Sequence, residues 1–147
     1  MEKKDLLEAI GEAMFDFSLA INEEFGGYSQ NIPEKYHPVL ILLYRYETLY
    51  VKDLAELLHV SPSSASQLLS KMEAEDYIVR ELDPDKRRYT FVKLGGNGVK
   101  AIRNMEEIRN QITSKYLMKL SHEELTVFKE VAEKIKTIVE RERETAT

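Results

Sequence analysis

Leu54-Ala55-Glu56-Leu57-Leu58-His59-Val60-Ser61-Pro62-Ser63-Ser64-Ala65-Ser66-Gln67-Leu68-Leu69 is the stretch whose reading decides the fold. Leu54, Leu58, Val60, Ala65 and Leu68 fill the apolar positions needed where two short helices cross, and Ala55 is the small residue that lets them approach. Ser61-Pro62 is a cap residue followed by a first-turn proline, so the second helix starts abruptly after a tight connection. His59 stands where such turns often have glycine, and predicts a slightly looser turn. With Ala65, Leu68, Leu69 and Met72 turned inward, Ser61 at the cap and Ser63, Ser64, Ser66, Gln67 and Lys71 remain on the open face. Short hydroxyls and one amide suit base edges, and a lysine suits a phosphate. The second helix is therefore a candidate reading edge for double-stranded DNA.

Beyond that helix, Tyr77-Ile78-Val79-Arg80-Glu81-Leu82 has strand composition and Tyr89-Thr90-Phe91-Val92-Lys93-Leu94 alternates at period two. Asp83-Pro84-Asp85-Lys86 between them is a turn sequence. The result is a hairpin whose tip presents Lys86, Arg87 and Arg88, and an arginine so placed suits a narrow minor groove, where negative potential is focused. Helix, turn, helix and hairpin in this order make a winged helix-turn-helix.

Outward from this centre the helical period dominates. Leu6, Leu7, Ile10, Met14, Phe17, Ile21 and Phe25 define a long amphipathic helix ending near Gly26-Gly27, followed by a polar loop with Pro33. His37-Pro38 opens a second helix with Val39, Leu40, Leu43 and Tyr46 on its buried side. Ala101, Ile102, Met105, Ile108 and Ile112 mark another long helix, and Ser121-His122-Glu123-Glu124 is a capping box before a last helix carrying Leu125, Phe128, Val131, Ala132, Ile135 and Ile138. The expected architecture is mainly α with a small β-hairpin wing, in a single domain over 1–147. Its reading head covers about 36–98, with dimerisation helices over about 2–25 and 99–145. The terminal helices are apolar along one stripe with no further domain to cover them, so a symmetric homodimer is the simplest way to bury them.

Composition narrows the chemistry. There is no cysteine, which removes disulfides, thiolate nucleophiles and thiolate metal sites. The net charge of −5 looks unfavourable for a DNA binder. Its distribution matters more. From Ser61 to Lys100 seven basic residues (Lys71, Arg80, Lys86, Arg87, Arg88, Lys93, Lys100) face six acidic ones (Glu73, Glu75, Asp76, Glu81, Asp83, Asp85), leaving that segment at +1 and the remainder at −6. Weak non-specific binding with marked salt sensitivity is expected. No apolar run approaches a membrane span and Met1 to Asp5 carries no leader pattern, so a cytoplasmic protein is expected.

No catalytic constellation stands out, and an enzyme is not expected. Gly95-Gly96-Asn97-Gly98 after a strand superficially suggests a phosphate cradle, but Val99-Lys100 lacks the Lys-Ser/Thr that a nucleotide loop needs. A turn with Asn97 near a helix cap is the preferred reading. His37, His59 and His122 are scattered, which argues against a metal site, and no cofactor is indicated. Phe15, Phe17, Tyr36, Tyr44 and Tyr46 are candidates to line a pocket for a small-molecule effector, plain core being the competing reading.

Asp53-Leu54-Ala55-Glu56-Leu57-Leu58, Ser63-Ser64-Ala65-Ser66-Gln67, Leu69 to Val79, and Asp85-Lys86-Arg87-Arg88 through Leu94 to Gly98 resemble the multiple-antibiotic-resistance regulator (MarR) family of bacterial and archaeal repressors. The likeness extends to the order of the flanking helices. It implies a homodimer held by the first and last helices, bound to a pseudo-palindromic operator and usually released by a small ligand. The family's wing pattern is an aspartate, an arginine two residues later, and a strand ending in Leu-Thr and a glycine. Counted back from Leu94 the arginine falls on Arg88 and the aspartate on Lys86, whereas Asp85-Lys86-Arg87 preserves the pair one residue earlier. Either Arg87 or Arg88 is thus the groove residue. Gly95 replaces the usual threonine, and Asp76 replaces the glycine that normally ends the recognition helix. Aspartate tolerates the left-handed conformation better than most residues. The sequence is read as a sequence-specific, ligand-responsive repressor of transcription acting on double-stranded DNA. The alternative is a winged-helix protein-interaction module without an operator.

Overall fold

The computed structural model describes residues 1–26 and 32–146. In chain order its elements are α1 (Lys3–Phe25), α2 (Tyr36–Tyr46), β1 (Leu49–Tyr50), α3 (Val51–Leu58), α4 (Pro62–Ala74), β2 (Ile78–Leu82), β3 (Thr90–Leu94), α5 (Gly96–Lys115), a 3-10 turn (Leu117–Lys119) and α6 (His122–Ala146). Gly27 and the polar stretch to 31, where the first helix was expected to give way to a loop, lie outside the described residues. The chain divides into two compact units, residues 1–105 and 106–147.

The first unit is organised by Val39, Leu40 and Leu43 of α2, Leu54 of α3, Leu69 and Met72 of α4, Ile78 of β2 and Val92 of β3, with Tyr36, Ala101 and Ile102 completing the cluster. Each comes from the apolar stripe of its own element, so the core is the sum of the periodicities. Two expected members are missing. Tyr46 is 51% exposed, because α2 ends there and Glu47 turns the chain away with φ 61°. Val60 is 42% exposed, because the chain reverses at His59 before reaching it, while Leu69 from the next turn of α4 is fully buried.

The turn between α3 and α4 is tight, where His59 had suggested a looser one. His59 adopts φ 57°, ψ 41°, its N–H donates to Glu56 O at 3.1 Å and the Val60 N–H donates to Ala55 O at 3.0 Å. This is the glycine-type helix stop made by a residue with a Cβ, at a cost of about 1 kcal/mol. Asp76 does the same after α4, with φ 61° and a Tyr77 N–H to Met72 O bond of 2.8 Å. There the expectation from the sequence holds.

The three strands form one antiparallel sheet in the order β1-β3-β2, with Leu49 opposite Val92, Tyr50 opposite Phe91, and Arg80 opposite Val92 on the other side. The hairpin is the one foreseen. The two-residue β1 is an addition that period-two reading cannot detect.

In the second unit the capping box forms as expected. Ser121 Oγ accepts the Glu124 N–H at 3.1 Å, and Glu124 Oε1 accepts the Ser121 N–H at 3.0 Å. Along α6, Phe128, Val131, Ile135 and Ile138 are all at least half exposed. In the first unit α1 behaves alike: Leu6, Leu7, Ile10, Met14 and Phe17 are exposed, and only Phe25 is buried. Among the described residues no helix is long and apolar enough to cross a membrane.

Candidate nucleic-acid interface

The reading edge begins with a well-made helix start. Ser61 is extended at φ −67°, ψ 153°, and its Oγ accepts the Ser64 N–H at 3.1 Å, with Pro62 opening the helix. The same hydroxyl donates to Ser64 Oγ at 2.9 Å and lies 3.2 Å from Ser63 Oγ, so Ser61 is occupied as a cap rather than turned outward alone. Ala65, Leu69 and Met72 are buried. That leaves Ser63, Ser64, Ser66, Gln67 and Lys71 exposed along one side of α4, as their spacing requires.

Behind that edge α4 is tied to the sheet by one ion pair. Arg80 on β2 donates from Nη2 to Glu73 Oε1 at 2.9 Å and from Nη2 to Ser70 Oγ at 3.2 Å, and its backbone N–H donates to Glu73 Oε2 at 3.1 Å. The guanidinium holds the Glu73 carboxyl below its ordinary range. Lys93 and Glu81 pair across the hairpin at 3.2 Å. Arg80 and Lys93, counted with the basic residues in the sequence, are thus spent on acids. The tip residues Lys86, Arg87 and Arg88 are exposed.

The wing loop, residues 83–89, is built round a carboxylate that in the sequence is only a turn residue and a negative charge. Asp83 is 5% exposed. Its Oδ2 accepts the Tyr50 hydroxyl at 2.7 Å and its Oδ1 accepts the Asp85 N–H at 2.9 Å. Its own N–H donates to Tyr89 O at 3.0 Å, which extends the β2–β3 ladder by one bond. The Tyr50 hydroxyl first, then the backbone N–H groups of Asp85 and Lys86, hold the Asp83 carboxyl below its usual range, and the same contact pushes the Tyr50 phenol up to about 12. At the tip the Tyr89 N–H donates to Lys86 O at 2.9 Å, closing a four-residue turn with Arg87 and Arg88 as its central pair. The tight turn is thus later than expected: 86–89 rather than 83–86.

Tyr50 also carries the wing's aromatic base. Its ring stacks on Phe91 at 4.6 Å between centroids and 11° between planes, and meets Tyr89 at 5.2 Å. Lys52 Nζ lies 4.5 Å over the Tyr89 ring. The signal that could have led to Tyr50 is the Leu49-Tyr50 pair before α3, too short for a periodicity. Asp83 has no sequence signal beyond its place at the root of the loop.

The glycine-rich run after β3 is a clasp. Asn97 was expected near a helix cap; it is the second residue of α5 and caps a different helix, its Nδ2 donating to Glu75 O at the end of α4 at 2.8 Å. Its N–H donates to Asp76 O at 2.9 Å, and the Gly95 N–H donates to Tyr77 O at 2.9 Å. A Cβ on Gly98 would stand 2.2 Å from Tyr77 O, and one on Gly95 2.7 Å from Asp76 O. These glycines are needed for close approach, since no glycine among the described residues has positive φ.

The five aromatics proposed for an effector site fall into two groups. Tyr36 is 4% exposed and meets Tyr77 edge-on at 5.3 Å, and burial, then the Glu75 carboxylate, push its phenol up. Phe15, Phe17, Tyr44 and Tyr46 are exposed.

Residues 30–88 match the model of the MarR family. The HTH-type transcriptional regulator YwhA of Bacillus subtilis (strain 168) is 28% identical over 97 residues, 66% of this chain and 70% of that protein. YfiV, an HTH-type transcriptional regulator of the same organism, is 34% identical over 86 residues, 58% of this chain and 54% of YfiV, so the match spans about half of that relative. Among solved structures, AbsC, a MarR family transcriptional regulator from Streptomyces coelicolor, aligns with TM-score 0.64 at 20% identity, covering 97% of each chain. A point mutant of S. aureus MepR bound to an oligodeoxyribonucleotide aligns with TM-score 0.58 at 21% identity, covering 95% of this chain and 99% of its own. The fold is that of MarR-family winged-helix regulators.

Proposed function

We infer, for a chain that belongs to the MarR family of transcriptional regulators, that it is a sequence-specific repressor binding double-stranded DNA as a homodimer on a pseudo-palindromic operator. The observation that carries this reading is the pairing of an exposed hydroxyl-and-amide edge on α4 with an exposed Lys86-Arg87-Arg88 tip on the adjoining hairpin. Serine and glutamine side chains match base edges in a major groove, and the cations match phosphates and the minor groove beside it. Ser63, Ser64, Ser66 and Gln67 act as the readers and Lys71 as a phosphate contact. Ser61 contributes by fixing the helix start.

The oligonucleotide bound to the MepR mutant supports DNA as the partner class. Dimerisation is supported by α1 and α6, each of which, taken by itself, leaves a row of apolar side chains in water. Two copies would bring two reading helices to successive major grooves, and dimer geometry would set half-site spacing. A small-molecule effector acts by differential affinity for the DNA-competent arrangement. The exposed faces of Phe15, Phe17, Tyr44 and Tyr46 are where an apolar effector would find purchase, while Tyr36 is committed to the core.

The test is selection from a random duplex pool with purified protein at physiological salt, followed by sequencing. A two-fold symmetric motif is expected. Absence of enrichment from folded, dimeric protein overturns the operator reading in favour of a protein-interaction module, for which the net charge of −5 is the argument.

A further inference from the structure

The seven residues between Leu82 and Thr90 form a long loop for a hairpin, and a loop of that length does not hold two arginines in place unaided. In this wing the ordering contacts converge on Asp83. One carboxylate oxygen takes the Asp85 N–H and the other takes the Tyr50 hydroxyl, while the Asp83 N–H reaches across to Tyr89 O. Tyr50 belongs to β1, on the far side of β3 from β2, so its phenol spans the central strand to reach the loop's root. The ring has its own support in the Phe91 stack, so burying the ring does not require the hydroxyl. What the hydroxyl adds is a fixed orientation of the carboxylate that seats the backbone leading into the Lys86–Tyr89 turn, and with it the directions of Arg87 and Arg88.

We propose that Tyr50 and Asp83 are positioning residues for the wing: the Tyr50 hydroxyl orients the Asp83 carboxylate, which presets the arginine tip for a DNA groove. Neither residue needs to touch DNA. The pair acts by sparing the tip the ordering cost that a mobile loop would meet on binding. The proposal rests on the DNA-binding reading only for its consequence, not for the ordering of the loop.

The experiment uses Tyr50→Phe, which keeps the aromatic stack and removes one oxygen, in the full-length protein and also in an Arg87→Ala/Arg88→Ala background. Affinity for a mixed-sequence DNA duplex is measured as a function of salt, and the mobility of the Lys86, Arg87 and Arg88 amides is measured by heteronuclear NOE in free protein. Tyr50→Phe is expected to weaken binding roughly 3- to 10-fold, to reduce the salt slope, and to lower the tip NOEs, in a protein that stays folded but melts somewhat lower. In the arginine-free background it is expected to weaken binding no further. An equal loss in both backgrounds, or tip NOEs unchanged by Tyr50→Phe, overturns the proposal. If wild-type protein binds no duplex at all, the operator reading fails, and the NOEs still decide: a fall supports the positioning role and no change overturns it.

Discussion

Replacing Gly98 by alanine puts a methyl group where the structure has a carbonyl. The added Cβ would lie 2.2 Å from Tyr77 O and 3.1 Å from Leu94 Cδ2. Restoring even 3.0 Å requires the start of α5 and the residue before β2 to part by about 0.8 Å. The carbonyl cannot simply retreat, because it accepts the Gly95 N–H at 2.9 Å in the same clasp. Overpacking of this kind costs about 1–3 kcal/mol and loss of the clasp bond about 1 kcal/mol more, against up to about 1 kcal/mol regained from alanine's helix preference. The net is a destabilisation of about 2 kcal/mol, or a fall in melting midpoint on the order of 5–10 °C. Urea unfolding followed by far-UV circular dichroism reads it, as a lower midpoint at unchanged slope. Gly11→Ala is the reference: Gly11 sits inside α1 with nothing within 4 Å of an added Cβ, so only helix preference operates and the expected change is a gain of up to about 1 kcal/mol. Should Gly98→Ala match Gly11→Ala in sign, the close approach of α5 to the backbone at Tyr77, between α4 and β2, is refuted.

Ser61→Ala removes the α4 cap and is expected to cost about 1 kcal/mol by the same assay, with Ser61→Asp recovering most of it. Asp83 gives a pH dependence: its folded value lies below its ordinary 3.8, so the stabilisation is complete above that value and is lost as pH falls through the lower folded one. Asp83→Asn is therefore expected to lower stability at neutral pH and to flatten the acid limb below about pH 4, measured by melting across an acid series. Arg87→Ala with Arg88→Ala is expected to reduce the slope of log affinity against log salt by about 0.9 for each phosphate no longer neutralised, an unchanged slope ruling the tip out as a DNA-binding element. Gln67→Ala is expected to relax base preference at one position per half-site in the selected motif; a uniform loss over all sequences would remove Gln67 from the readers.

Where apolar spacing and capping chemistry act within one element, the sequence was legible. The α3–α4 crossing, the Ser61 cap, the Ser121–Glu124 box and the hairpin strands are local statements, and each is found where its residues put it. Contacts between distant elements left no such trace. Tyr50 and Asp83 are 33 residues apart, and Asn97 and Glu75 are 22 apart, so nothing in their immediate neighbours announces either pair. His59 misled for a different reason. Its poor intrinsic fit to φ 57° is overridden by two backbone bonds and the packing of the helices it joins. Tyr46 is the last residue of α2 and Val60 lies two residues past α3, so each fits the periodicity at a point where the element ends and the chain turns away.

The way the wing loop is anchored also bears on how such a protein diversifies. Asp83 grips its loop chiefly through peptide N–H groups, that of Asp85 at 2.9 Å above all, with the Lys86 charge a lesser contribution. Any residue with an amide hydrogen satisfies the main part of that grip. The side chains from Lys86 to Arg88 can therefore be exchanged while the scaffold beneath them keeps its shape, which makes the tip an interchangeable cassette on a constant mount. On the proposed DNA-binding reading, drift in these residues would retune groove preference one substitution at a time on an unchanged scaffold. For an engineer the same property marks the tip as the place to randomise, and Tyr50 and Asp83 as the two positions to hold constant.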